Sequence, residues 1–131
     1  MKIAVLIARV LVGLGFIVFG LNILVPFLPQ PPFAPGSPEL QFMTLMSAWM
    51  KLVGVVQLLG GILVLIGRTA PLGLALLAPV LVNIVAFHAF LQHGEGLAPG
   101  LVFSALAVFL IYAYRDYFKS LATTSAAPVV R

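Results

Sequence analysis

The 131-residue chain contains no cysteine and only three carboxylates, Glu39, Glu95 and Asp116. Without thiols, disulfides, thiolate metal sites and thiol redox chemistry are excluded. Three scattered carboxylates give neither a paired general acid and base nor a metal-ligand cluster, so no metal site is expected. Glycine-rich phosphate loops and nucleophile–base sets are missing too, and a self-contained catalytic constellation cannot be assembled. Charge of either sign is scarce: 8% of residues are charged against 63% hydrophobic, with a mean hydropathy of +1.21. A soluble chain of this length exposes too much surface to carry so little charge, and the lipid bilayer is the expected solvent. The net charge of +4 is not clustered with aromatics as a nucleic-acid face requires, so nucleic acid is not an expected partner.

Four windows are long enough to cross a hydrocarbon core, which takes about 20 helical residues. They are residues 3–24, 47–66, 70–91 and 99–117. None has the alternating pattern of a barrel strand, so the expected fold is an all-α integral membrane four-helix bundle. The first window follows Lys2 and resembles a signal peptide, but it is too long, holds Arg9 and lacks a small-x-small cleavage site. VPFLPQPPFAPGSP, residues 25–38, carries six prolines and reads as an extended external loop. Ser37-Pro38-Glu39 is a helix-start signal, a capping serine followed by proline and a carboxylate in the first turn. It predicts a short amphipathic interfacial helix before the second span, placed as a lid over the outer end. Residues 120–131 are expected to form a disordered tail.

Orientation follows from the cations. With four spans, Lys2, Arg9, Arg68, Arg115, Lys119 and Arg131 fall on one side, and Glu39 and Glu95 on the other. Both termini are therefore expected in the cytoplasm. Tyr112, Tyr114 and Tyr117 mark the inner interface and Trp49 the outer one. Arg9 lies about 9 Å inside the inner edge at 1.5 Å per residue and is expected to snorkel to the headgroups.

Polar side chains within a span are costly, and each needs a reason. The stretch LAPVLVNIVAFHAFL, residues 77–91, carries Pro79, Asn83 and His88. Together with Asn22, Lys51 and Gln57 they suggest a column of polarity from the outer surface to mid-membrane. The competing reading is a set of separate interhelical hydrogen bonds, each worth about 0.6 kcal/mol. At 100° per residue, Asn83 and His88 point about 140° apart and would address neighbouring helices on opposite sides. Pro79 deprives the Ala75 carbonyl of its donor, and the Gln57 amide, at similar depth, is its expected partner. Gly13 and Gly20 on the first span, and Gly54 and Gly61 on the second, share a seven-residue spacing that suits close helix packing. Haem ligation by two histidines would need His93 to fold inward or a second copy to supply the imidazole.

The chain resembles the DoxX-like family of small four-span bacterial membrane proteins. The resemblance is carried by FGLN (19–22), FLPQPP (27–32), FMTLM (42–46), QLLGG (57–61) followed by GR and PLGL, YRDYF (114–118), and above all LAPVLVNIVAFHAFL with Asn83 and His88. It implies an inner-membrane four-helix bundle associated with membrane redox systems, some of them linked to quinone-dependent sulfur oxidation. Gln57 departs from the acidic residue often found at its position, which weakens a proton-relay role.

Three functions compete. The first is an accessory subunit of a membrane redox system, with a quinone-like amphiphile held by His88, Asn83, Lys51, Gln57 and Asn22 in an outer-leaflet pocket. The second is a structural or assembly partner that docks another membrane protein through its glycine faces; a homo-oligomer is a further candidate partner, needed above all by the transport reading. The third is a transport module for a small solute, for which four spans form a thin wall.

Overall fold

The computed structural model describes residues 1–129; it is all-α, 76% helical, with no strand among them. Helix α1 runs Lys2–Leu24, α2 Pro38–Leu45, α3 Ser47–Ile66, α4 Ala70–Ala86, α5 Leu97–Ala113 and α6 Arg115–Phe118. A π-helical segment, Phe87–Leu91, continues α4, and a 3-10 turn, Lys119–Ala122, follows α6. Helices α1, α3 and α4 with its π extension are long and apolar enough to cross a membrane. The fourth candidate needs α5 and the α6 segment together, and an 82° bend separates them.

That bend corrects the expected window 99–117. The helix stops at Ala113, with Tyr114 leaving helical geometry, and Arg115 turns back on its last turn. Its Nη1 donates to the Tyr112 carbonyl at 3.0 Å, and its guanidinium lies 4.6 Å from the centre of the Tyr112 ring. A cation bonded to a terminal carbonyl is a favourable helix end. The tail expectation is corrected in part: residues 120–122 belong to the 3-10 turn, residues 123–129 form no helix or strand, and 130–131, including Arg131, lie outside the described residues.

Helix α1 packs on α3, α3 on α4, α4 on α5, and α5 returns to α1. The first two seams are built on glycine. Gly13 opposes Gly61 and Gly20 opposes Gly54, so α1 and α3 run antiparallel with backbones in near contact. A Cβ on Gly61 would lie 2.7 Å from the Gly13 carbonyl oxygen, and one on Gly20 would lie 2.7 Å from the Gly54 oxygen. Gly60 and Gly73 repeat the device between α3 and α4, where a Cβ on Gly73 would lie 2.7 Å from the Gly60 oxygen. The α1–α5 seam is aromatic instead. Phe103 of α5 sits in the notch over Gly15 and meets Phe16 and Phe19 edge-on, with centroids 5.6 and 5.7 Å apart. Phe16, Val12, Val64, Leu74, Leu77 and Leu110 are fully buried where these helices meet.

The helix ends are closed by side chains. Thr69 Oγ1 donates to the Leu63 carbonyl at 2.7 Å, and Arg9 Nη2 donates to the Leu65 carbonyl at 3.1 Å. Together they satisfy two of the terminal carbonyls of α3, which the backbone would otherwise leave as orphan acceptors. Arg9 is half-buried, with its guanidinium against Gly67, so it reaches sideways to α3 and does not snorkel along its own helix. Gly67, at φ +90, makes the turn into α4. At the other end of α1, Asn22 Oδ1 accepts from the Phe27 and Leu28 amides at 2.9 and 2.8 Å and holds the start of the proline-rich loop.

Helix α2 begins as expected, with Ser37 Oγ accepting from the Leu40 amide at 3.2 Å and Glu39 in its first turn. It is not cleanly amphipathic. Leu40, Phe42 and Leu45 are all exposed and only Met43 and Glu39 are half-buried, so its apolar residues surround it and form no stripe.

A methyl group at the α1–α3 seam must push backbone against backbone. Gly61→Ala is expected to destabilise the folded chain by about 1–3 kcal/mol in detergent unfolding. Ala105→Leu, on the exposed face of α5, should be neutral; equal effects would refute the glycine seam.

Candidate functional site

The polar residues singled out by sequence do not gather into one chamber. Asn22 and Gln57 are buried, His88 is half-buried, and Lys51 and Asn83 are exposed. Pro79, Asn83 and Phe90 do share a face of the third hydrophobic segment, but that face is the outer surface, with Phe90 79% exposed. Asn83 therefore addresses no neighbouring helix. Its Nδ2 donates back to the Pro79 carbonyl at 3.1 Å, the local bond by which an amide in an apolar medium satisfies itself. Lys51 projects from the first turns of α3, close to the exposed Trp49. Asn22 has spent its oxygen on the loop amides.

Gln57 is the corrected partner. Its Oε1 is buried and accepts no hydrogen bond, while Ala75 and Pro79 lie on the exposed side of α4. The amide does not reach the carbonyl that Pro79 leaves free. Gln57 shares one stripe of α3 with Gly60, Gly61 and Val64, all buried, so glycine packing on both sides of α3 encloses it.

His88 stands in different surroundings. The helix widens to a π turn over Phe87–Leu91, with the Gln92 amide bonding the Phe87 carbonyl at 3.2 Å. Such turns recur at functional sites. His88 Nδ1 lies 3.1 Å from the Glu95 carbonyl oxygen. A carbonyl only accepts, so Nδ1 carries the hydrogen and the neutral ring keeps its lone pair on Nε2. Gly96, at φ +69, lets the chain press on the ring, since a Cβ there would sit 3.1 Å from Nδ1. The imidazole also meets Phe87 edge-on at 5.4 Å. Phe87 in turn gathers Phe33 from the proline-rich loop at 6.4 Å and Phe42 from α2 at 5.5 Å. This aromatic cluster fastens the loop and α2 to the far end of α4. His93 is exposed, at φ +53, and among the described residues no group of three or more His, Cys, Asp or Glu could hold a metal ion.

The larger concavity lies on the fourth seam. Between α4 and α5 a groove of about 510 Å³ runs along small side chains, Ala78, Ala86, Ala89, Ser104 and Ala107. Val82, Phe90 and Val108 line it as well and are strongly exposed. Its lining is apolar apart from Ser104. From Ala78 to Phe90 it extends roughly 18 Å along the helix at 1.5 Å per residue.

Comparison with protein-family models, with curated proteins and with solved structures finds no match.

Sequence reasoning missed the clustering of Phe33, Phe42 and Phe87 and the π turn that carries His88. A phenylalanine among prolines, at 33, was the available signal for the first; nothing in local composition marks the second. The unpartnered carbonyl oxygen of Gln57 makes a sharp case. Gln57→Leu removes a buried unsatisfied acceptor and is expected to leave stability unchanged or raise it by about 1 kcal/mol in detergent unfolding. A loss of that size or more would reveal a partner for the amide.

Proposed function

We propose that this chain is a multi-pass inner-membrane protein, a four-helix bundle with both termini cytoplasmic, that serves as an accessory subunit docked on a larger membrane redox protein. In this reading the α5–α6 bent pair supplies the fourth span, and α2 rests at the outer interface beside Phe87. The distribution of charge supports the orientation. Lys2, Arg9, Arg68, Arg115 and Lys119 gather at one end against the single carboxylate of Asp116, whereas Glu39 and Glu95 are at the other, near Phe42 and His88, with Lys51 the one cation there among the described residues. The redox association is what the DoxX-like motifs imply and is carried by them alone.

One observation carries the docking: the α4–α5 groove is the seam that this chain does not fill with its own side chains. Small residues along a helix pair let a third backbone approach closely, and van der Waals contact of that kind drives association in lipid. The other two long seams are already closed by glycine.

A second reading is favoured by the orientation of His88. With Nδ1 bonded to Glu95, the neutral ring presents an acceptor at Nε2, which suits the hydroxyl of a quinol better than the carbonyl of a quinone. The groove, alongside Ala89 and Phe90, would take the apolar tail. Lys51 and Asn83 have no part in it.

A photo-crosslinking residue placed at Ala89 or Val108 in native membranes distinguishes these readings. The subunit reading expects one discrete protein adduct, identified by mass spectrometry as a membrane electron-transfer component and absent when the probe is moved to exposed Ile7. Lipid-only adducts from both sites would refute it. Stoichiometric quinol extracted with the protein, and lost in His88→Ala, would establish the second reading.

A further inference from the structure

At the end of the helices that carries the cations, a cavity of about 430 Å³ opens between the start of α1 and the end of α5. Three cationic side chains line it, Lys2, Arg9 and Arg115, together with the phenol of Tyr114. Val5, Leu6 and Ala113 make its apolar walls. No carboxylate lines it. The nearest in sequence, Asp116, is paired through Oδ1 with Lys119 at 2.6 Å.

The cations are not all spent on the fold. Arg9 gives Nη2 to the Leu65 carbonyl, but its Nε is a buried donor with no acceptor. Arg115 gives Nη1 to the Tyr112 carbonyl and has donors left over. Lys2 is exposed and makes no hydrogen bond or ion pair among the described residues. Helix α1 adds the positive end of its dipole, with no side-chain cap and no acidic residue in its first turn. Three cationic residues, apolar walls and the absence of a lining carboxylate together describe a receptor for an anion attached to hydrocarbon.

We infer that this cavity binds the phosphate of an anionic phospholipid, with Lys2, Arg9 and Arg115 around the phosphate and Val5, Leu6 and Ala113 against the first carbons of its acyl chains. Basic pockets between membrane helices suit such headgroups. A zwitterionic headgroup brings an ammonium for which the cavity has no carboxylate, so net charge is what it discriminates. The fit needs neither the α4–α5 groove nor a redox partner and stands apart from the function proposed above.

Native mass spectrometry of the purified full chain in nonionic detergent, titrated with phosphatidylglycerol and phosphatidylcholine of identical acyl chains, tests it. The wild-type chain is expected to retain phosphatidylglycerol preferentially. Lys2→Gln/Arg115→Gln should cut that preference about thirtyfold, the loss expected of two interfacial cations, with helical circular dichroism unchanged. Arg68→Gln removes an exposed cation from the same end but outside the cavity and should keep the preference. No preference in the wild-type chain, a preference that survives the double substitution, or an equal loss in Arg68→Gln would overturn the proposal. Displacement of phosphatidylglycerol by equimolar glycerol phosphate would overturn the lipid assignment in favour of a free phosphate.

Discussion

Backbone contact at paired glycines is the constraint on which the remaining arrangement rests. Hydrocarbon tails solvate leucine as well as another helix does, so burial of apolar surface gives helices in lipid little reason to associate. Close approach does, because dispersion grows steeply as surfaces meet. Gly13 with Gly61, Gly20 with Gly54, and Gly60 with Gly73 bring α3 against a neighbour on each side. Once α3 is held in this way, Gln57 is enclosed, Arg9 comes within reach of the Leu65 carbonyl, and the outward face of α4 is determined.

The molecule is consequently lopsided. Two seams are closed by glycine, a third by Phe103 lying between Phe16 and Phe19, and the fourth remains concave. Helix α5 has no glycine pair with α4. Gly100 faces Ile84, where a Cβ would lie a tight 3.2 Å from Cγ2, and farther along, alanines leave room. The aromatic cluster at Phe87 compensates at one end by fastening loop and α2 onto α4. At the other end Arg115 bonds a terminal carbonyl of α5. What separates the two halves is side-chain size.

Much of this was legible in the chain. Hydropathy and length located α1, α3 and α4 with its π extension within a residue or two, because long apolar segments are a strong signal. The Ser37 cap was readable because its chemistry is local. The seven-residue glycine spacing pointed to the faces that now meet. The polar residues were harder, because depth along a helix is visible in a sequence while azimuth depends on which neighbour sits where. Asn83 was assigned to the interior by its depth, yet it lies on the outer face and bonds its own helix. Gln57 and Ala75 matched in depth but not in direction. Arg9 illustrates the same limit, since its partner is 56 residues away in sequence. The π turn at His88 changes direction without any composition that announces it.

The brevity of α5 has an outcome for the surrounding bilayer. Its 17 residues rise about 26 Å, several ångströms less than a typical hydrocarbon core of ~30 Å, and the turn after Ala113 prevents the axis from continuing. In the four-span arrangement proposed above, the leaflets beside that helix would pinch inward, whereas the 23 residues of α1, packed next to it, span a full thickness. Such hydrophobic mismatch, though small in free energy, sorts proteins between thick and thin bilayers. This chain would draw short-tailed lipids to one flank only.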